Sequence, residues 1–284
     1  MNVFYAVLLG LIQGLTEFLP ISSTAHLTLA GVALHLIDPL HPELWTEYIA
    51  VIQLGTLAAV VVYFWRDIVA MIVSPINDAA SGALMRGISS WNPNTRMAFF
   101  IAVGTLPVVI IGLSFRHVIE GALTKSITVI ASSLVVLALL LWVAERIARH
   151  VRTIEQVTWV DALVIGFAQA CALIPGSSRS GTTITAGLFL GFGREAAARF
   201  SFLLSIPAVF ASGIYELTKI HAGVFTLGLG NLAIATIVSG ITGYIAIGWL
   251  LRYLMKNTTM LFVGYRIALG VLLFALLAAG LITG

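Results

Sequence analysis

The stretch Gln13-Gly-Leu-Thr-Glu17-Phe-Leu-Pro20-Ile-Ser-Ser-Thr-Ala-His26 sets a glutamate, a run of hydroxyls and a histidine inside an otherwise apolar segment. A second polar interruption, Pro175-Gly-Ser-Ser-Arg-Ser-Gly-Thr-Thr183, answers it in the second half of the chain. The surroundings explain why these breaks matter. Of 284 residues 60% are hydrophobic and 10% charged, and the mean hydropathy is +1.04, which makes lipid rather than water the solvent. Polar groups placed at such depth are costly, so the two breaks read as the two parts of a site.

Six apolar stretches, near 48–65, 97–115, 127–144, 200–215, 231–251 and 260–282, approach the roughly 20 residues that a helix needs to cross the hydrocarbon. The net charge of +3 sits at the ends of these spans, where cytoplasmic anchoring is its ordinary explanation, and nucleic acid is set aside as a partner. The opening MNVFYAVLLG lacks a basic leader and runs directly into the polar motif, so it reads as mature structure.

Two further apolar regions, about 2–37 and 160–190, are each broken near the middle by proline followed by hydroxyl residues. Both are expected to be re-entrant helical hairpins, the alternative being one kinked span each. Backbone that leaves the helix within the membrane is tolerated only where protein or a water-filled cavity satisfies its N–H and C=O groups. The breaks should therefore face an internal polar pocket. With hairpins, one side collects Arg66, Arg86, Arg96, Arg146, Arg149, Arg152, Arg194, Arg199, Arg252 and Lys256, against Arg116, Lys125 and Lys219 on the other. The crowded side is assigned to the cytoplasm and both termini to the outside.

The halves resemble one another. Gly10-x-x-Gln13 followed by Pro20-Ile-Ser-Ser parallels Gly166-x-x-Gln169 followed by Pro175-Gly-Ser-Ser, with one residue of slippage. Each half contains one hairpin and three spans, and an odd number of crossings inverts the second half. The expected architecture is an all-α polytopic membrane protein, a single integral membrane domain over 1–284. Its six transmembrane helices and two re-entrant hairpins form inverted-topology repeats of about 1–150 and 155–284, whose broken helices meet near the midplane.

In the first motif Gln13 and Glu17 are four residues apart and share a helical face. Ser22, Ser23 and Thr24 follow Pro20, where a new helix can begin, and one of them suffices as its N-cap. The others, with His26 one turn inside, remain free for a ligand. In the second motif Arg179 lies among Ser177, Ser178, Ser180, Thr182 and Thr183 between Gly176 and Gly181. A helix N-terminus with forked guanidinium donors and close-approach glycines resembles a phosphate cradle. A carboxylate beside phosphate donors points to a divalent cation such as Mg²⁺, with Glu17 as ligand.

These two motifs carry a family resemblance. QGLTEFLPISSTAH is similar to the (E/Q)xxxE region, and PGSSRSGTT to the PGxSRSxxT region, of the bacterial undecaprenyl-diphosphate phosphatases of the bacitracin-resistance type. The resemblance implies a multi-pass enzyme of the bacterial cytoplasmic (inner) membrane that removes the terminal phosphate of a polyprenyl diphosphate lipid. It implies functional positions at Gln13, Glu17, Ser22, Ser23, Thr24 and His26, and at Ser178, Arg179, Ser180 and Thr183. Many members carry glutamate where Gln13 stands, so Gln13 is a weak metal ligand here.

On this reading Mg²⁺ or Ca²⁺ on Glu17 bridges the diphosphate and Arg179 neutralises the transferring phosphoryl. The sequence leaves open a phosphoenzyme at His26, one at Ser23, or water attack with His26 as base. Two competitors stand beside it. Inverted repeats with broken helices also suit a transporter or flippase for polyprenyl phosphate or another anion. An acid-phosphatase-type lipid phosphatase needs a histidine and an aspartate soon after the second arginine motif, whereas the first histidine here is His221.

Other residues and regions get ordinary readings. Cys171 reads as a small buried hydrophobe, 74–95 as a mobile cytoplasmic loop, and Arg146, Arg149 and Arg152 as facing water and headgroups. Arg266, inside the last span, either snorkels or pairs inward. Gly240-x-x-Gly243 packs helices within a chain as readily as in a homodimer.

Overall fold

The computed structural model describes residues 2–37, 42–115, 126–218 and 228–282. Arg116, Lys125, Lys219 and His221 lie outside them. Eleven α-helices occur among the described residues: α1 Val3–Phe18, α2 Ser23–Ala33, α3 Pro42–Tyr63, α4 Trp65–Ala80, α5 Pro93–Ser114, α6 Ile127–Ile147, α7 Trp159–Ala170, α8 Arg179–Phe189, α9 Arg194–Leu217, α10 Leu229–Leu254 and α11 Met260–Ala278. Six of these, α3, α5, α6, α9, α10 and α11, are long and apolar enough to cross a membrane. They coincide with the six stretches read from sequence. Three begin several residues earlier, because polar first turns such as Pro93-Asn-Thr-Arg belong to the helix although they are not apolar.

Both interrupted segments are helix–break–helix units: α1 stops at Phe18 and α2 starts at Ser23, while α7 and a 3₁₀ turn at Cys171–Leu173 precede α8. The second helix of each unit has 11 residues. The units pack reciprocally, α1 against α10 and α7 against α5, while α3 contacts α9 and α6 contacts α11. Small residues permit these approaches. An added Cβ at Gly166 of α7 would lie 2.9 Å from the Gly104 carbonyl carbon of α5, and one at Gly10 of α1 would lie 2.9 Å from Val238 Cβ of α10.

Away from the breaks, buried Glu145 on α6 accepts from Arg194 Nε of α9 at 2.7 Å and from Thr259 Oγ1 at the start of α11 at 2.8 Å. One carboxylate thus ties three spans. Arg152 does not face water alone. It holds both Asp161 oxygens at 2.9 and 2.6 Å and the Leu190 carbonyl at 3.0 Å, pinning the connection after α6 to both α7 and the end of α8. Its hydrogen bond to Asp161 raises the guanidinium further above its ordinary pKa.

Two other readings are corrected. Region 74–95 is not an open loop: α4 runs to Ala80, two 3₁₀ turns follow, and Asn92 N donates to Asp78 Oδ2 at 2.7 Å, closing the segment on itself. Cys171 is exposed, because the 3₁₀ turn that ends α7 carries its side chain to the surface.

Gly166→Val should push α7 from α5 and lower the melting temperature in detergent by the equivalent of about 1–3 kcal/mol of overpacking. Gly230→Ala, where nothing lies within 4 Å of the new Cβ, should leave it unchanged; equal melting of the two variants would contradict the close approach.

Candidate functional site

Both second helices begin in the same unusual way. Ser22 caps α2 with φ 76° and ψ 98°, and its hydroxyl accepts from Ala25 N. Ser178 caps α8 with φ 66° and ψ 110°, its hydroxyl accepting from Gly181 N. A side chain at positive φ is strained, and such strain persists where surrounding structure over-determines it. Gly176 just before Ser178 also has positive φ, 83°, and a Cβ there would meet the Ile130 carbonyl oxygen at 2.6 Å. The turn therefore needs glycine on two counts.

These turns bring the two motifs into contact. Glu17, at the end of α1, is only 8% exposed and forms an ion pair with Arg179 at the start of α8. Its Oε2 also accepts from Gln13 Nε2 at 3.0 Å and from Ser23 Oγ at 2.8 Å, and its Oε1 from Gln53 Nε2 at 3.2 Å. A buried carboxylate needs this much compensation. The sequence pointed to Gln13, Glu17, Ser23 and Arg179 but missed Gln53, whose amide inside span α3 has no break beside it to mark it.

A cleft of about 190 Å³ opens beside the ion pair. Its walls include Glu17, Ser22, Ser23, Thr24, Gln53, Gln169, Ser177, Ser178 and Arg179, with apolar Val108, Leu173, Ile174, Ala208 and Val209. Ser180 and Thr183 are not among its lining residues. Ser180 Oγ donates to the Leu19 carbonyl at 3.1 Å, tying one break to the other, and Thr183 shares a 2.5 Å hydrogen bond with Ser201 of α9.

His26 also stands off the cleft. Its Nδ1 lies 2.7 Å from the Ser22 carbonyl and its Nε2 2.6 Å from the Tyr265 hydroxyl, the two rings stacking at 5.5 Å. A carbonyl only accepts, so Nδ1 carries a proton, and in the neutral ring Nε2 accepts from the tyrosine. Neither nitrogen is left free to attack.

Arg266 on α11 does not snorkel; it is fully buried. Its guanidinium donates to Pro20 O at 3.4 Å in the first break and to Gly176 O and Ser177 O at 3.4 and 3.0 Å in the second. Further bonds reach Ser133 O and Leu134 O of α6 at 3.4 and 3.3 Å. A Cβ on Gly181 would stand 2.5 Å from Nη1, so this close seat requires glycine. Arginine's forked donors reach carbonyls on several sides at once, Nη2 sharing its hydrogens among three of them, as a lysine could not.

Among the described residues no cluster of three or more His, Cys, Asp or Glu side chains is present. The oxygen donors at hand are one carboxylate, amides and hydroxyls, which fit a hard dication only when a substrate's phosphates supply further oxygens.

Arg266→Met should strand carbonyls of both breaks and lower the melting temperature by the equivalent of several times about 1 kcal/mol. Arg149→Met, at an exposed position, is the control; indistinguishable melting of the two would contradict the bracing role.

Comparison with known proteins accords with this geometry. Residues 6–272 match the family model described as bacitracin resistance protein BacA. A protein of Syntrophobacter fumaroxidans named undecaprenyl-diphosphatase is 51% identical over 95% of each chain. Its namesake in Chlorobium phaeovibrioides is 49% identical over 99% of each, and that of Pseudarthrobacter chlorophenolicus 46% over 100% of each. The chain is a multi-pass membrane protein and belongs to the BacA family.

Proposed function

We propose that the chain hydrolyses undecaprenyl diphosphate to undecaprenyl phosphate and inorganic phosphate, recycling the lipid carrier of cell-wall polymers and so conferring bacitracin resistance. The observation that carries this is the direct pairing of Glu17 with Arg179 beside a hydroxyl-lined cleft. Family membership and the names of the relatives support the same reaction. The cleft's polar end takes the diphosphate, and the prenyl chain lies in lipid against the apolar spans.

Between the candidate nucleophiles, geometry favours Ser23. Its hydroxyl lines the cleft and already donates to Glu17, so the carboxylate can take its proton as Oγ attacks the terminal phosphorus. The bond from that phosphorus to the bridging oxygen breaks, and the lipid monophosphate leaves. Water then attacks the phosphoserine, the P–Oγ bond breaks, and the proton held by Glu17 returns to Ser23. Arg179 exchanges Glu17 for the phosphoryl oxygens, and the N-terminal amides of α8 add positive potential. Glu17, with Gln13 as a weaker neighbour, would hold a divalent cation such as Mg²⁺ or Ca²⁺. When bound, such an ion withdraws charge from the phosphate oxygens. His26 acts through Ser22 by fixing the turn that aims Ser23.

The reciprocal packing of α1 on α10 and α7 on α5 supports inverted repeats and re-entrant hairpins that meet within the bilayer. The charge asymmetry supports the bacterial inner membrane with both termini outside. A lipid-carrier activity at the same cleft is disfavoured by Ser23 standing against a carboxylate base, which transport does not need.

Phosphate release from a polyprenyl diphosphate by purified protein tests the reading. Ser23→Ala and Arg179→Met should each lower kcat by about 10² or more, as expected for loss of a nucleophile or a transition-state donor. His26→Gln should retain much more activity. Parent-like kcat in Ser23→Ala would overturn the nucleophile assignment.

A further inference from the structure

Three of the seven buried polar side-chain atoms that lack a protein partner among the described residues, Gln169 Nε2, Gln169 Oε1 and Ser177 Oγ, belong to two residues that line the cleft. Gln169 is 1% exposed and so is Ser177. An unsatisfied buried amide is expensive, about 1–3 kcal/mol for each group left without a partner. The first half shows what this amide lacks. Gln13 occupies the matching place in the first half, where its amide nitrogen donates to Glu17 and to Thr56. The register that pairs Gly10 with Gly166, and the N-cap Ser22 with the N-cap Ser178 rather than Pro20 with Pro175, sets Leu173 opposite Glu17. The second half has the amide and no carboxylate for it.

The chemistry of the cleft identifies what completes it. Arg179 is paired with Glu17 until its exchange for phosphoryl oxygens occurs, so an entering dianion is first met by donors that carry no counter-charge of their own. Nε2 of Gln169 and the hydroxyl of Ser177 are such donors, and they share the wall with Arg179 and Ser178. We propose that Gln169, acting with Ser177, is a substrate-binding residue that donates from Nε2 to a phosphoryl oxygen of the diphosphate. Its Oε1 accepts from a protonated phosphate oxygen or a cleft water. This assignment rests on the phosphatase reading and adds a residue to it.

The test compares the full-length parent with Gln169→Leu, Gln169→Glu and Gln169→Asn, scoring KM and kcat for a polyprenyl diphosphate, inhibition by inorganic pyrophosphate, and melting without ligand. Gln169→Leu should raise KM, and the pyrophosphate inhibition constant, about tenfold or more, the loss of one charge-assisted hydrogen bond. Its ligand-free melting temperature should match or exceed the parent's, since an unpartnered amide has been replaced by an apolar group. Gln169→Glu should lose more than Gln169→Leu, because it sets a negative charge against an anion. Parent values of KM and inhibition in Gln169→Leu, together with a lower melting temperature, would overturn the proposal and make the amide a structural group. If Gln169→Leu fails to fold, Gln169→Asn decides: it keeps the amide but draws it back by one methylene, so parent-like KM overturns the proposal and a raised KM supports it. Absence of phosphate release from the parent would remove the hydrolase reading alone. Direct binding of a diphosphate lipid analogue to parent and Gln169→Leu would then still decide the role of Gln169.

Discussion

Peptide carbonyls released where a buried helix breaks need other donors, and this chain releases them twice. One guanidinium answers both. Arg266 donates to Pro20 in the first break, to Gly176 and Ser177 in the second, and to Ser133 and Leu134 of a neighbouring span. Because the same group serves both breaks, each is held in place relative to the other. The turns at Ser22 and Ser178, each at positive φ, are held by this shared anchor, by their own caps, and by Ser180 reaching across to Leu19.

The fixed turns then decide the electrostatics. They end α1 with a buried carboxylate and start α8 with an arginine, and the two meet. Glu17 is further held by Gln13, Gln53 and Ser23, which offsets the cost of burying a carboxylate. In the proposed reaction the pair is also a lock that a phosphate opens, Arg179 trading one anion for another while Glu17 turns to the proton of Ser23. Binding and activation draw on the same exchange.

Much of this was legible in the chain because lipid makes polar residues conspicuous. Glu17, Ser23 and Arg179 stood out as costly interruptions, and the six spans as apolar runs of sufficient length. What escaped did so for physical reasons. A lone arginine inside a span has the same sequence signature whether it reaches the headgroups or folds inward, so the anchor role of Arg266 appears only when the carbonyls around it are in place. Gln53 and Gln169 are ordinary amides on regular helices, and only tertiary contact separates a packed glutamine from one facing a cleft. The positive φ of two serines is hidden because hydroxyl residues also cap helices in relaxed geometry. His26 sat close to the break and read as reactive, yet one helical turn carries it to Tyr265 instead. Ser180 and Thr183 belonged to the phosphate motif by sequence, but their hydroxyls join segments of the fold. Region 74–95 looked loose by composition and is closed by the Asp78 carboxylate on the Asn92 amide.

The account stands on both breaks gripping one headgroup. A structure of the protein bound to a non-hydrolysable diphosphonate analogue of the lipid tests it most directly. The expected result is a single diphosphonate touching Ser23 from the first break and Arg179 from the second, with the Glu17–Arg179 pair opened. An analogue that contacts one break only, leaving that pair intact, would contradict it.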